Sequence, residues 1–379
     1  MKSKDILLKT ATAITLAGLV TNGVTAELGD TKVQNQKPTQ ETKKDDSKKS
    51  DNPNEAKSLS NINVTARRRK EKLQNVPVPI AVEKGDDLEL KKVYQVQDLQ
   101  QIFPNLTAQF LHARQSALAV RGIGNNIANE GLEQSTGIYL DNVYLGRPGM
   151  AVFDLLDIEQ AELLRGPQGT LFGKNTTAGV LNITTKKPVF DDEAVFEGTY
   201  GNRNYDNVRG MVNKKINDDL AVRISAYQTH DDGWVKNVTD GRDLNSINRN
   251  GVRGQAFYKP TDSFDLRLIF EHNQENSTTA PLVAYAFGPY SVTPLQRAGI
   301  ASALHVTPAA SLAAVPATTT YPNLVKALGG SIYTGPWKDY INTINQAQNM
   351  EVHQNAASAE ANWDFEGYKL TSISAWRSW

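Results

Sequence analysis

The second half of the chain alternates between apolar and polar residues, which is the pattern of β-strands that present two different faces. Along residues 220–227, one face carries Leu, Val, Ile and Ala, and the other carries Ala, Arg, Ser and Tyr. The same alternation recurs in residues 194–200, 208–212, 264–271 and 357–365. An apolar face opposite a charged face, repeated from strand to strand, predicts an antiparallel transmembrane β-barrel that begins near residue 193.

A soluble β-sandwich also alternates, so a secreted or surface β-rich binding or adhesion module is the alternative. Three features favour the membrane barrel. The predicted strands have about 9–11 residues or more, short turns alternate with long loops, and aromatic residues lie near the strand ends. These residues are Tyr200, Tyr258, Phe264, Trp363, Tyr368 and Trp376.

The preceding segment, residues 73–188, has a mixed pattern that predicts a small α+β domain. Apolar residues recur at helical spacing from Leu88 to Phe103, and Pro104 ends this predicted helix. Residues 137–145 alternate around Asp141-Asn142, which predicts a hairpin. A helical turn near Asp154 and then strands near residues 164 and 183 complete the predicted domain.

The N-terminal region precedes any predicted domain. A basic start, a short apolar stretch and the small residues Val24-Thr25-Ala26 predict a secretory signal peptide over residues 1–26. Residues 27–60 contain few apolar side chains and many interspersed charges, which predicts a disordered linker.

Residues 61–69 form a short strand-forming segment directly after this linker. Ile62, Val64 and Ala66 alternate with Asn63 and Thr65. An exposed extended segment of this kind adds to the edge of a partner's sheet through backbone hydrogen bonds. Taken alone, a β-prone run of five residues is more often an ordinary local strand.

Composition narrows the classes of function. The 41 Lys+Arg balance 41 Asp+Glu, so no basic excess indicates a nucleic-acid partner. There is no Cys, the five His are scattered, and no nucleophile–base motif occurs, so we expect no enzyme, catalytic residue, metal site or cofactor. Acidic pairs such as Asp154 with Asp157 are interpreted as solvated turn carboxylates.

Three motifs resemble a known family. They are AVRGIGNN at residues 119–126, GIYLDNVYLGRPG at 137–149 and DIEQAELLRGPQGTLFGKNTTAGVLNITTKKP at 157–188. In order and spacing they resemble the plug domain of TonB-dependent outer-membrane receptors. The motif residues to which we assign a structural role are Arg121, Gly122, Gly124, Arg165, Gly166, Pro167, Gly169 and Gly173. With these in place, residues 61–69 resemble the family's TonB box, with Ile62, Asn63, Val64, Thr65 and Ala66 as the residues that bind TonB.

The resemblance implies a plug inside an outer-membrane barrel of about 22 strands. It also implies import of a scarce nutrient, often a ferric siderophore, driven by TonB with the ExbB–ExbD energy complex. Outer-membrane lipid would then be a further partner. We count about seven strands from Ala194 onward, too few to enclose such a plug. This count predicts an N-terminal fragment of a longer receptor or the product of an interrupted gene.

A long loop is predicted over residues 274–350, with a helical stretch near residues 295–304. In a barrel it lies on the ligand-facing side. Its aromatic residues either contact ligand or pack the loop against itself: Tyr285, Tyr290, Tyr321, Tyr333, Trp337 and Tyr340. The nature of the ligand stays open among ferric siderophores, haem, cobalamin, nickel complexes and oligosaccharides.

Overall fold

The computed structural model describes residues 63–65, 71–125, 133–279, 289–291, 318–327, 329–344 and 348–379. The predicted signal peptide and linker, Ile62, Ala66 and the predicted helical stretch at 295–304 lie outside these residues.

The described residues form strands for most of their length. The strands are β1 Asn63–Val64, β2 Glu71–Lys72, β3 Ile80–Lys84, β4 Leu106–His112, β5 Gln115–Val120, β6 Ile123–Gly124, β7 Thr136–Leu140, β8 Val143–Leu145, β9 Ile158–Arg165, β10 Gly179–Thr185, β11 Glu193–Tyr200, β12 Asp206–Lys215, β13 Leu220–Asp231, β14 Val235–Asn237, β15 Asp243–Leu244, β16 Ile247–Thr261, β17 Phe264–Thr279, β18 Pro289–Ser291, β19 Thr318–Thr320, β20 Ile341–Asn342, β21 Gln348–Phe365 and β22 Tyr368–Ser378. The α-helices are α1 Gly85–Leu90, α2 Gly169–Phe172 and α3 Tyr321–Ala327, and 3-10 turns span Leu73–Asn75, Val96–Gln101, Pro148–Ala151 and Trp337–Asp339.

The small domain, residues 71–188, is built around a five-stranded sheet in the order β3-β9-β10-β7-β8. Strands β10 and β7 are parallel, and their neighbours are antiparallel. The predicted hairpin forms, because Asp141 (φ 47°) and Asn142 (φ 64°) adopt the left-handed turn that joins β7 to β8.

Both faces of this sheet are covered. The side that carries Leu163 and Leu181 packs on the 3-10 turn at 96–101 and on β4 and β5, forming the main core. The opposite side carries Leu164 and Val180, which pack with Tyr139, Phe172 and Val64 of β1. The N-terminal segment is therefore part of the packing of the small domain.

The large sheet is antiparallel and has the order β11-β12-β13-β16-β17-β21-β22. Its polarity is the reverse of that of a soluble protein. Along β13, Arg223, Ser225 and Thr229 are buried, whereas Ile224 is 49% exposed. The other large exposed apolar side chains on the same face of the sheet as Ile224 include Phe196, Val208, Val212, Val252, Phe270, Leu370 and Trp376. An apolar outer face with a polar inner face is the pattern of membrane strands, so the predicted alternation is confirmed.

The small domain packs against the polar face of the large sheet, which leaves the apolar face exposed. Strands β11 and β22 form its two edges, and the sheet is open within the described residues. The face-to-face apolar packing of a β-sandwich is absent from this part of the chain. None of the helices among the described residues has the length and apolar character needed to cross a membrane.

Local predictions failed where tertiary contacts override the pattern. The single helix predicted from Leu88 to Phe103 is divided: α1 ends near Lys92, whose φ is 55°, and a 3-10 turn follows at 96–101. Gln95 between them forms an isolated bridge with Asp154. The helical turn predicted near Asp154 is therefore absent. The chain instead has a 3-10 turn at 148–151, upstream of β9.

The predicted long loop is shorter and more ordered than expected in its described parts. Strand β17 continues to Thr279 and β21 begins at Gln348. Strand β20 pairs with β14, so this loop attaches to the loop that follows β13. A helix is present at α3, and the helical stretch predicted near residues 295–304 lies outside the described residues.

Gly85, at the start of α1, lies against the backbone of β9. A Cβ built at Gly85 would lie 1.6 Å from the carbonyl oxygen of Ile158. We expect Gly85→Ala to lower the free energy of unfolding of the small domain by about 1–3 kcal/mol, the usual effect of overpacking. Hydrogen exchange of the β9 amides measures this change. Gly169→Ala is the matched control because a Cβ there meets open space, and an equal loss in both variants contradicts the steric explanation.

Candidate functional site: a docked N-terminal strand and a charged domain interface

The N-terminal strand β1 is docked on the small domain. Asn63 and Val64 pair with Lys72 and Glu71 of β2. The side chain of Val64 is 1% exposed and lies in the cluster of Leu164, Tyr139, Phe172 and Val180. Of the five residues predicted to bind TonB, the structure describes Asn63, Val64 and Thr65, and it places them in this docked position.

Thr65 contacts a buried carboxylate, that of Glu162 on β9. The backbone N–H of Thr65 donates to Glu162 Oε1 at 2.6 Å, and its hydroxyl lies 3.1 Å from both carboxylate oxygens. Gln160 donates to Oε1 at 2.6 Å, and Asn182 donates to Oε2 at 3.0 Å. Burial raises the pKa of Glu162, which the hydrogen bonds from Thr65 and Asn182 oppose. We call Glu162, Gln160 and Asn182 the clasp.

The interface between the small domain and the large sheet is held by buried ion pairs. Arg223 of β13 donates to both oxygens of Asp157, each at 2.6 Å, and Ser225 donates to Asp157 at 2.8 Å. Burial raises the pKa of Asp157, but the hydrogen bonds and charge of Arg223 outweigh it and bring the pKa below its ordinary value. A bidentate pair of this kind fixes both distance and orientation.

Two further arginines extend the same interface along the sheet. Arg253 of β16 donates to the carbonyl oxygen of Leu156 at 2.7 Å. Arg267 of β17 donates to the hydroxyl of Thr185 at 2.6 Å and approaches Asp141 at 3.3 Å. Consecutive strands of the large sheet therefore bind, through charged groups, the one end of this pair of strands where β9 begins and β10 ends.

The arginines around Asp154 lie farther from its carboxylate than Arg223 lies from that of Asp157. Arg249 and Arg209 lie 3.3 Å and 3.6 Å from its carboxylate, and Thr229 donates to it at 2.8 Å. The guanidinium of Arg209 stacks 3.9 Å from the ring of Tyr94. A cavity of about 350 Å³ adjoins these groups and is lined by Lys92, Tyr94, Gln95, Asp98, Asp154, Thr199, Tyr205, Asn207, Thr229, Ile247 and Arg249.

The prediction that Asp154 and Asp157 are solvated turn carboxylates was wrong. Both are buried and face arginines of the large sheet. One feature of the sequence could have indicated this burial. Arginine recurs at inward positions of successive strands, and such a row of positive charges predicts acidic groups on the surface that it faces. Among the described residues no group of His, Asp and Glu side chains is arranged to hold a metal ion.

The plug-motif residues lie in or beside turns of the small domain. Arg121 (φ 54°) and Gly122 (φ 77°) form the left-handed turn between β5 and β6, and Gly124 leaves no room for a Cβ beside Ala119. Gly166 (φ 86°) and Gly173 (φ 78°) also adopt left-handed conformations, which favour glycine. Arg165 and Pro167 flank Gly166 after β9, and Gly169 begins α2.

Aromatic side chains of the long loop pack on the loop after β13. Tyr340 contacts Trp234 edge-on at 5.0 Å and Trp337 at 6.3 Å. These three rings stay 41–47% exposed. Tyr321 is also exposed, and Tyr333 donates a hydrogen bond to Asp339. The side chains of Tyr285 and Tyr290 lie outside the described residues, so loop packing is seen and ligand contact stays a prediction.

The arrangement defines a class of protein: a small α+β domain held by ion pairs against the polar side of membrane-type strands. Residues 72–180 match the family model described as TonB-dependent Receptor Plug Domain. The pesticin receptor of Yersinia pestis is 30% identical over 132 residues, which cover 34% of this chain and 19% of that protein. The catecholate siderophore receptor Fiu of Escherichia coli K12 is 30% identical over 157 residues, 41% of this chain and 19% of its own length.

Solved structures share the fold beyond the small domain. The ferric yersiniabactin uptake receptor FyuA of Yersinia pestis superposes with a TM-score of 0.61 at 18% identity, over 79% of this chain and 40% of that one. The ferric-catecholate import receptor Fiu from E. coli K12 gives 0.56 at 17% identity, over 82% and 39%. Residues 72–180 are therefore similar to the plug domain of TonB-dependent receptors, and the chain shares the fold of these solved structures over most of its length. It spans less than half the length of these relatives.

Proposed function

We propose that this chain acts in an outer-membrane receptor that binds a scarce nutrient and imports it with energy supplied through TonB. The observation that supports this most strongly is the packing of a plug domain on the inward, polar face of the large sheet. That sheet directs Ile224, Phe270 and Leu370 outward, where outer-membrane lipid would cover them. The seven strands would then act as one wall of a barrel around the plug.

The mechanism needs binding and motion, without covalent chemistry. Ligand binds the outer loops and the facing side of the plug, which blocks passive flow. Binding shifts the segment around Asn63–Thr65 from its docked state to an exposed state. TonB, energised by the ExbB–ExbD complex, captures the exposed segment as an added strand and pulls on the plug.

A ferric siderophore is the ligand class that we favour. The matched relatives are named for the uptake of ferric yersiniabactin and of ferric catecholates. The exposed rings of Trp234, Trp337 and Tyr340 supply apolar and aromatic surface on the loops, which suits planar chelating groups.

Membrane association is tested by washing membranes from cells that express the protein with alkaline carbonate. We expect the protein to stay in the outer-membrane fraction and to require detergent for extraction, because the apolar face of the large sheet is buried in lipid. Release by carbonate contradicts the proposal and supports a secreted binding or adhesion module.

Import is tested by deleting the intact gene and growing the strain under iron limitation on single iron sources and carbohydrates. We expect loss of growth on one ferric siderophore, restored by the gene in trans, together with loss of uptake of that siderophore carrying radioactive iron. Unchanged growth and uptake on every source contradict the import function.

A further inference from the structure

Arg249 of β16 is a buried cation with a donor that is not used. Its side chain is 5% exposed and lies 3.3 Å from a carboxylate oxygen of Asp154, which is longer than a charge-assisted hydrogen bond. Its Nε donates to no acceptor in the described part of the chain. The clasp differs in this respect, because Glu162 receives hydrogen bonds as short as 2.6 Å. The surroundings of Arg249 therefore lack an acceptor.

Arg209 of β12 has the same shortage. Its Nε and Nη2 atoms make no hydrogen bond within the described residues, and Nη2 lies 3.6 Å from the carboxylate of Asp154. The two arginines thus share one carboxylate, and the hydroxyl of Thr229 already donates to one of its oxygens. Buried charged donors without a partner cost free energy. An additional acceptor beside these two guanidinium groups would therefore be bound favourably.

The cavity beside these groups has room for such an acceptor. Its volume is about 350 Å³, within the range of pockets that hold small organic molecules. Arg249 gives its wall a positive charge, and Ile247, Tyr94 and Tyr205 give it apolar and aromatic surface. A bare inorganic anion would leave this apolar surface uncovered. The wall therefore suits a carboxylate that is carried on a ring or an aliphatic body.

The other charged groups near the cavity already have partners. Lys92 is paired with Glu197, and Asp98 accepts two backbone hydrogen bonds. Glu275 interacts with Arg249, but it accepts a hydrogen bond at 2.9 Å from a neighbouring serine and does not line the cavity. Asp154 is thus the carboxylate of the wall that competes with an entering anion for the two arginines.

We propose that this cavity binds a small organic carboxylate, which accepts hydrogen bonds from Arg249 and Arg209. The ligand would contact Tyr94 of the small domain and Arg249 of the large sheet, so it would join the two. The site is separate from the exposed rings of the outer loops. Its test requires neither TonB nor transport, so the proposal stands or fails independently of the import function.

Binding is measured with benzoate as the probe. The purified full chain in detergent is dialysed to equilibrium against radiolabelled benzoate, with detergent alone as the blank. We expect saturable binding with a dissociation constant of about 1 mM or tighter. Benzamide, the neutral isostere, should compete at least about tenfold more weakly, because it forms no charge-assisted hydrogen bond with arginine. Inorganic phosphate should also compete at least about tenfold more weakly, because it covers no apolar surface.

Three results of this experiment overturn the proposal: absence of saturable benzoate binding, benzamide as strong a competitor as benzoate, or phosphate as strong a competitor as benzoate. The first shows that the cavity is not a carboxylate site. The second shows that the negative charge is not recognised, and the third that the organic body is not.

Two variants with opposite expected effects separate the site from a general loss of structure. Arg249→Gln should weaken benzoate binding at least about tenfold, because a charged donor is lost. Asp154→Asn should strengthen binding at least about threefold, because the competing negative charge is removed. A general loss of structure would weaken binding in both variants. Unchanged or weaker binding in Asp154→Asn therefore contradicts the proposal.

Filling the cavity tests its location without changing a charge. Thr199→Trp places a large ring in the cavity wall and should abolish detectable benzoate binding. Val195→Trp is the matched control, because Val195 is on the same strand, is 59% exposed and does not line the cavity. Its affinity should stay within about twofold of the parent. Hydrogen exchange of the β9 amides checks that both variants keep the small domain folded, and parent-level binding in Thr199→Trp rejects the cavity as the site.

Discussion

Val64→Pro is expected to abolish uptake while leaving ligand binding at the parent level. Proline lacks the backbone donor that strand addition requires. In the proposed mechanism the ligand binds the outer loops and the facing side of the plug, which this change leaves unaltered. Uptake of the radiolabelled ligand, compared with its equilibrium binding to whole cells, measures the two effects separately.

Val64→Ala is the matched control for this experiment. Alanine shortens the same side chain and keeps the backbone N–H, so uptake should continue. Uptake at the parent rate in Val64→Pro would rule out strand addition at this residue, whereas equal loss in both variants would assign the effect to side-chain packing.

Asp157→Asn is expected to lower the free energy of unfolding of the small domain by about 3 kcal/mol, as breaking one partner of a buried ion pair does. This value is the lower end of the range of about 3–5 kcal/mol for a broken buried ion pair, because Arg223 keeps its contact with Glu193 at 3.1 Å. Hydrogen exchange of the β9 and β10 amides in the full chain measures the change. Asp191→Asn, at an exposed carboxylate before β11, should have no effect.

The double variant Asp157→Leu with Arg223→Met separates the cost of an unpaired arginine from the loss of the ion pair itself. Replacing both charges by apolar side chains removes the uncompensated arginine, so most of the lost stability should return. A double variant as unstable as Asp157→Asn would show that the pair contributes more than compensation of charge.

The same ion pair predicts a dependence on pH. The pKa of Asp157 in the folded protein lies below its ordinary value, so its stabilising contribution is present above the unfolded pKa. That contribution is lost as the pH falls through the folded pKa. The difference in stability between the parent and Asp157→Asn should therefore shrink in acid and be largest near neutral pH.

The membrane strands were predictable because their pattern is local. In β13 each residue from Leu220 to Tyr227 takes its face from its position in an alternation with period two. The hairpin at Asp141-Asn142 was predictable for a similar reason, since these residues tolerate the left-handed conformation that the turn requires.

The features that were missed depend on partners distant in sequence. Asp157 and Arg223 are 66 positions apart, and Thr65 and Glu162 are 97 apart. Nothing close to Glu162 in the sequence indicates that its carboxylate is buried. The break after α1 has a similar origin, because the bridge between Gln95 and Asp154 requires an extended chain where the local spacing favours helix.

The pocket that holds Val64 has a consequence for the end of a transport cycle in the proposed mechanism. When the segment is pulled away, Leu164, Phe172 and Val180 lose an apolar neighbour, and the burial of one valine side chain, about 1.5–3 kcal/mol, is forfeited. Once the pulling force stops, the free energy of burying this side chain favours return of the segment to its docked position. In the proposed mechanism, burial of Val64 thus favours this return without a second input of energy.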